Sequence, residues 1–85
     1  MFWNKPLIEL LLKMDREGYV TRKSQRIYIS TLGYYRILKF LRDYGMIECN
    51  GVDENNLKIW VLTPKGKKLV EHIKAIRRLF GVENG

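Results

Sequence analysis

The sequence predicts an α+β fold with a three-helix core, a β-hairpin and a C-terminal helix. Three observations carry this. Apolar residues recur every three or four positions in three long stretches. One segment alternates instead, and Asn50-Gly51 interrupts it as a turn dipeptide. Helix punctuation falls between these segments: Pro6, Ser30 and Thr63-Pro64 at starts, and Gly18, Gly45 and Gly81 at stops.

Asn4 or Lys5 can cap the first helix, with Pro6 in its first turn, where a missing N–H costs nothing. Ile8, Leu11, Leu12 and Leu7 form its apolar face, and Gly18 ends it. Phe2 and Trp3 precede the cap and can staple the helix start or reach a partner chain. Tyr19-Val20 reads as a short extended piece. Thr21 can cap a short second helix running to about Ile27 and lined by Arg22, Lys23 and Arg26. Ile27 and Ile29 then turn inward.

The third helix starts at Ser30, whose hydroxyl can cap it. Tyr34, Leu38 and Leu41 share one face, flanked by Ile37 and Tyr44. Tyr35, Arg36, Lys39 and Arg42 occupy the other. Met46 to Cys49 and Leu57 to Leu62 are the two strands of the hairpin, whose tip continues from Asn50-Gly51 through Asn56. Both faces of the returning strand carry apolar residues, and Trp60 reads as exposed. The last helix runs from Pro64 to about Phe80. Leu69, Ile73, Ile76 and Phe80 form an a/d-like seam that Val70 and Leu79 widen.

Eighty-five residues allow one domain with a small core, which a dimer contact would help. The formal charge of +7 favours an anionic partner. Its distribution is more informative. Arg22 to Arg42 holds six basic residues and no acid, whereas the other 64 residues hold ten basic and nine acidic. Concentration of charge beside an amphipathic helix points to nucleic acid, and Arg36 is the candidate base reader because Arg can bridge guanine O6 and N7. The plain alternative is a solvated basic face.

No set of side chains reads as catalytic: there is no Ser/His/Asp combination, no glycine-rich phosphate loop and no close acid pair. The expectation is a protein that is not an enzyme and uses no cofactor. Cys49 reads as a small strand residue and His72 as a surface histidine; on different elements, they cannot complete a metal site. A single cysteine fits a reducing cytoplasm. No apolar run is long enough to span a membrane, and Glu9 breaks the N-terminal one, which also lacks the basic start of a signal peptide.

LKFLRDYGMI, Leu38 to Ile47, resembles the L-x-x-L-x-x-x-G-[LM]-[IV] signature that closes the recognition helix of winged helix-turn-helix regulators. LTPKGKKLVEHI, Leu62 to Ile73, is similar to the L-T-x-x-G-x-x-L segment that follows the wing in multiple-antibiotic-resistance-type, phenolic-acid-type and small archaeal regulators. Together they bracket a hairpin-sized insert, and the resemblance runs from about Pro6 to Leu79. It implies a transcriptional regulator that binds double-stranded DNA as a homodimer, with the third helix in the major groove.

By position, the resemblance implies groove-facing roles for Thr31, Gly33, Tyr35, Arg36 and Lys39, and burial of Ile27, Ile29, Tyr34, Leu38 and Leu41. Ser30 matches the usual cap. Arg22, Lys23, Arg26 and Arg42 are candidate phosphate contacts. The chain departs from the pattern at Tyr28, where a glycine is usual, and at Lys23, where an apolar residue is usual. Asp53 and Glu54 make the wing tip acidic, which repels phosphate and leaves Lys58 at the base as the wing's candidate contact. The Leu69, Ile73, Ile76 and Phe80 seam is the candidate dimer contact, alongside packing on the first helix. No effector pocket is evident in the sequence. A second class of function, a winged-helix protein-interaction module, would use Phe2, Trp3 and Trp60.

Overall fold

A computed structural model describes residues 5–23 and 30–81. Of the expected second helix, Thr21, Arg22 and Lys23 are described and form a turn rather than a helix start, while its remainder with Arg26 and Ile27, and also Tyr28, Ile29, Phe2, Trp3 and Asn4, lie outside the described residues. Within them the fold is α+β: α1 (Lys5–Glu17), α2 (Thr31–Asp43), β1 (Ile47–Val52), β2 (Lys58–Leu62) and α3 (Pro64–Leu79).

α1 is more deeply embedded than its predicted face implies. Leu10 and Met14 are buried together with Ile8, Leu11 and Leu12, so apolar contact wraps most of the helix, as expected of a central element. The Gly18 N–H donates to the Met14 carbonyl at 2.8 Å and closes the helix. Val20 then runs antiparallel beside Trp60 as an isolated bridge, with reciprocal N–H···O bonds of 3.0 and 2.9 Å. The short extended piece expected at Tyr19-Val20 is therefore present, as a third, one-residue member on the edge of β2.

Tyr34, Leu38 and Leu41 point into the core from α2. The helix closes through two bonds: Gly45 N–H to the Arg42 carbonyl and Met46 N–H to the Leu41 carbonyl, both 2.9 Å. Tyr44 does not flank the buried stripe as expected. It occupies the C-cap, is exposed, and leans on Phe40 with ring centroids 4.9 Å apart.

The hairpin reverses within the expected tip but in its second half, because β1 extends past Cys49 to Val52. Ile47 pairs with Leu62, Cys49 with Trp60, and Val52 with Lys58, so β1 carries one more residue than β2 between the last two pairs. Asn50-Gly51 is spent on this bulge, with Gly51 at φ +86°. The reversal itself is built on Asp53. Its Oδ1 accepts from the Asn55 and Leu57 amides at 2.8 and 2.9 Å, and Asn56 takes a positive φ of 63°. An Asp side chain that satisfies two tip amides outcompetes the dipeptide for the turn. Trp60, expected to be exposed, is 8% exposed, because Cys49 and Val20 flank it on either side.

Thr63 caps α3: its Oγ1 accepts from the Gly66 N–H at 3.0 Å and its hydroxyl donates to the Gly45 carbonyl at 2.6 Å. Val70 and Ile73 enter the core, and Leu69 is half-buried. Ile76 and Phe80, the outer half of the expected seam, are 38% and 79% exposed. A Lys74–Asp15 ion pair of 2.7 Å ties the solvent sides of α3 and α1 together. No helix among the described residues is long and apolar enough to cross a membrane.

Candidate nucleic-acid interface

The cap and core of α2 decide which side chains it offers to solvent. The Gly33 N–H donates to Ser30 Oγ at 3.0 Å, and burial of Tyr34, Leu38 and Leu41 fixes the rotation of the helix. Thr31, Tyr35, Arg36, Lys39 and Arg42 are consequently exposed, and Gly33 is half-buried. Tyr35 lies edge-on to Tyr34, with centroids 5.2 Å apart. Ser30 is itself exposed, but its oxygen already serves the helix start.

The cations of this face are not equivalent. Lys39 Nζ donates to Asp43 Oδ2 at 2.9 Å, and the Arg42 guanidinium lies 3.6 Å from Oδ1. The Lys39 hydrogen bond holds the Asp43 carboxyl below its ordinary range, with Arg42 adding to the effect. Asp43 lies one residue beyond the acid-free stretch and returns a negative charge to it. Arg36 has no carboxylate within ion-pair distance among the described residues, but it borders an apolar groove of about 630 Å³ lined by Leu7, Ile37, Phe40, Tyr44 and Leu69. Leu32 and Phe40 on α2 and Tyr44 at its C-cap are also exposed, so this face is more apolar than its charges suggest.

Arg22 and Lys23 are exposed in a turn before the undescribed segment that holds Arg26. Lys23 shares a shallow concavity with Asp53 and Glu54 at the hairpin tip, near Tyr19 and Thr21. The acidic tip thus lies beside the basic turn. Lys58 is exposed, but it does not stand at the base of the hairpin as expected: it opens β2 opposite Val52, next to the acidic tip turn, while the base is the Ile47–Leu62 pair. Cys49 and His72 are exposed, and no group of three or more His, Cys, Asp or Glu side chains among the described residues could hold a metal ion.

One feature escaped the sequence reading. α3 carries Lys65, Lys67, Lys68, Lys74, Arg77 and Arg78 against Glu71 alone, a net charge of +5. Across α2 the net charge is +2, because Asp43 opposes three cations. No family model matches this chain, and neither a curated protein nor a solved structure matches it significantly.

Proposed function

We propose that this protein is a small winged-helix DNA-binding transcriptional regulator acting as a homodimer in the cytoplasm. The observation that carries the reading is α2 itself. It is a capped amphipathic helix whose solvent face bears Tyr35, Arg36, Lys39 and Arg42, and an antiparallel hairpin follows it in the chain. An order of helix, extended bridge, helix, hairpin and helix is compatible with a winged helix, the hairpin then serving as the wing. Lys39, Arg42, Arg22 and Lys23 supply phosphate contacts, and Arg36 and Tyr35 read base edges. Lys58 is the wing's contact as its one cation among the hairpin residues, although it stands beside the Asp53-Glu54 tip, which repels phosphate. Two recognition helices in a symmetric dimer would stand about 34 Å apart, one turn of DNA. The dimer contact is the C-terminal end of α3, where Ile76 and Phe80 are exposed; Ile73 and Leu69, the inner half of the expected seam, are spent on the core of the same chain.

The test is fluorescence anisotropy with random-sequence duplex DNA across salt, with light scattering on the same sample. Binding that weakens steeply with salt supports the reading. Absence of binding at low salt removes it.

A second reading is favoured by Leu32, Phe40 and Tyr44, which are exposed on the same helix or at its C-cap. In that case α2 and its groove dock a protein partner, and DNA affinity is no more than expected for a basic protein. Loss of DNA binding on Arg36→Gln with Lys39→Gln, and none on Phe40→Ser with Tyr44→Ser, selects the first reading. DNA binding that survives both pairs of substitutions selects the second.

A further inference from the structure

α3 carries the highest net charge of the described elements, +5. Helical geometry places Lys67, Lys74 and Arg78 on one row along a flank of the helix, about a quarter-turn from the buried Gly66, Val70 and Ile73, with Lys68 a further quarter-turn round on the outermost side. Glu71 lies amid these cations and His72 at their edge. The row from Lys67 to Arg78 extends about 16 Å at 1.5 Å per residue.

Most of these cations are unpaired among the described residues, as Arg36 on α2 is. Lys13 and Arg16 share Glu17, and Lys39 and Arg42 share Asp43. On α3 only Lys74 has a carboxylate partner among the described residues, Asp15 on α1. Glu71, four residues beyond Lys67, makes no ion pair with it. The hairpin is the reverse case, with Glu48, Asp53 and Glu54 against Lys58. Lysines and arginines held on a rigid helix without internal partners remain available to a polyanion, and each phosphate they neutralise releases a condensed counterion.

We propose that the outer face of α3 is a second surface for the sugar–phosphate backbone of duplex DNA, separate from the α2 face. The inference rests on the DNA-binding reading above and adds to it a sequence-independent contact made by Lys67, Lys68 and Arg78. Charge complementarity selects this occupant. An anionic bilayer is the weaker match, because the exposed apolar residues of α3 are confined to its end, at Ile76, Leu79 and Phe80, and do not run beside the cations along its length.

The experiment compares wild type with two variants, Lys67→Gln/Lys68→Gln/Arg78→Gln on α3 and Arg36→Gln/Lys39→Gln on α2. Each is titrated with a long random-sequence duplex across salt. These side chains are exposed, and circular dichroism checks that the variants fold. The α3 variant should flatten the plot of log K against log salt by about 0.9 for each phosphate it no longer neutralises, with equal loss on every sequence. Lys67→Arg/Lys68→Arg/Arg78→Lys should restore the slope. An α3 variant that matches wild type in slope and affinity overturns the proposal and leaves the α2 reading standing. Loss in the α3 variant with none in the α2 variant keeps the proposal and removes the α2 reading. Wild type that ignores DNA at low salt removes both. Wild type that prefers phosphatidylglycerol vesicles to DNA at equal anion concentration, with that preference abolished in the α3 variant, replaces DNA by a membrane surface.

Discussion

Gly66 and Met46 sit so close that no side chain fits between them: a Cβ on Gly66 would overlap the Met46 carbonyl oxygen. The same carbonyl accepts from the Thr63 N–H at 3.0 Å, and the Gly45 carbonyl accepts from the Thr63 hydroxyl at 2.6 Å. The end of α2 and the start of α3 therefore meet backbone to backbone. This gives physical content to two separate sequence blocks, Tyr44-Gly45-Met46-Ile47 and Leu62-Thr63-Pro64-Lys65-Gly66, which are the two halves of one junction.

Gly66→Ala should destabilise the fold by about 1–3 kcal/mol, because the clash is with backbone and cannot be relieved by a rotamer change. Urea denaturation reads this as a lower midpoint at unchanged slope. An unchanged midpoint would show that α3 and the entry to β1 stand further apart.

Tyr34 is fully buried, and its hydroxyl has no hydrogen-bond partner among the described residues. Tyr34→Phe keeps the ring and removes the unsatisfied group, so it should stabilise the protein by about 1 kcal/mol. Burial, reinforced by the neighbouring Tyr35 and opposed by Arg22, pushes the phenol from 10 up to about 12. The folded state thus keeps a proton that the unfolded state releases between these values. Wild-type stability is whole below pH 10 and declines as pH rises toward about 12. The advantage of the Phe variant should widen over that window, and urea midpoints at neutral and alkaline pH test it. A constant difference would mean that Tyr34 does not titrate differently on unfolding.

Asp43→Asn should raise affinity for duplex DNA of any sequence and steepen its salt dependence, because it frees Lys39 and Arg42. Arg36→Ala should cost about 1–3 kcal/mol on a preferred site and less elsewhere. Equal loss on all sequences would reduce Arg36 to a phosphate contact. Anisotropy titrations on both kinds of duplex decide each case.

Ile76→Glu with Phe80→Glu should convert a dimer to a monomer by light scattering while leaving the monomer's own stability within about 0.5 kcal/mol, since both side chains lie at the surface. An unchanged mass would place the dimer contact elsewhere.

Local chemistry made much of the fold legible. Ser30 and Thr63 cap where a hydroxyl can reach an amide three residues on, and the 4–3 spacing of Tyr34, Leu38 and Leu41 allows only one buried face. Both depend on residues near in sequence, and α1, α2, the hairpin and α3 follow from them. Two features of the hairpin are set by contacts that the local pattern does not encode. Asn50-Gly51 has the composition of a turn, yet Asp53 captures the turn by binding two amides. Trp60 alternates with apolar neighbours on both strand faces, and only the pairing of Val20 on the far edge of β2 decides that it is covered.

The sequence alone determined the elements, their order and the total charge, because these are set by spacing, capping and composition. Tertiary structure decided which charges remain free. Lys39 and Arg42 turn to Asp43 and Lys74 reaches across to Asp15, whereas Lys67, Lys68 and Arg78 meet no described carboxylate. It also decided that Arg36 borders an apolar groove and that Ile76 and Phe80 stay outside the core. The reason is distance: an ion pair or a buried face depends on where separate helices come to rest, and no periodicity within a single helix encodes that.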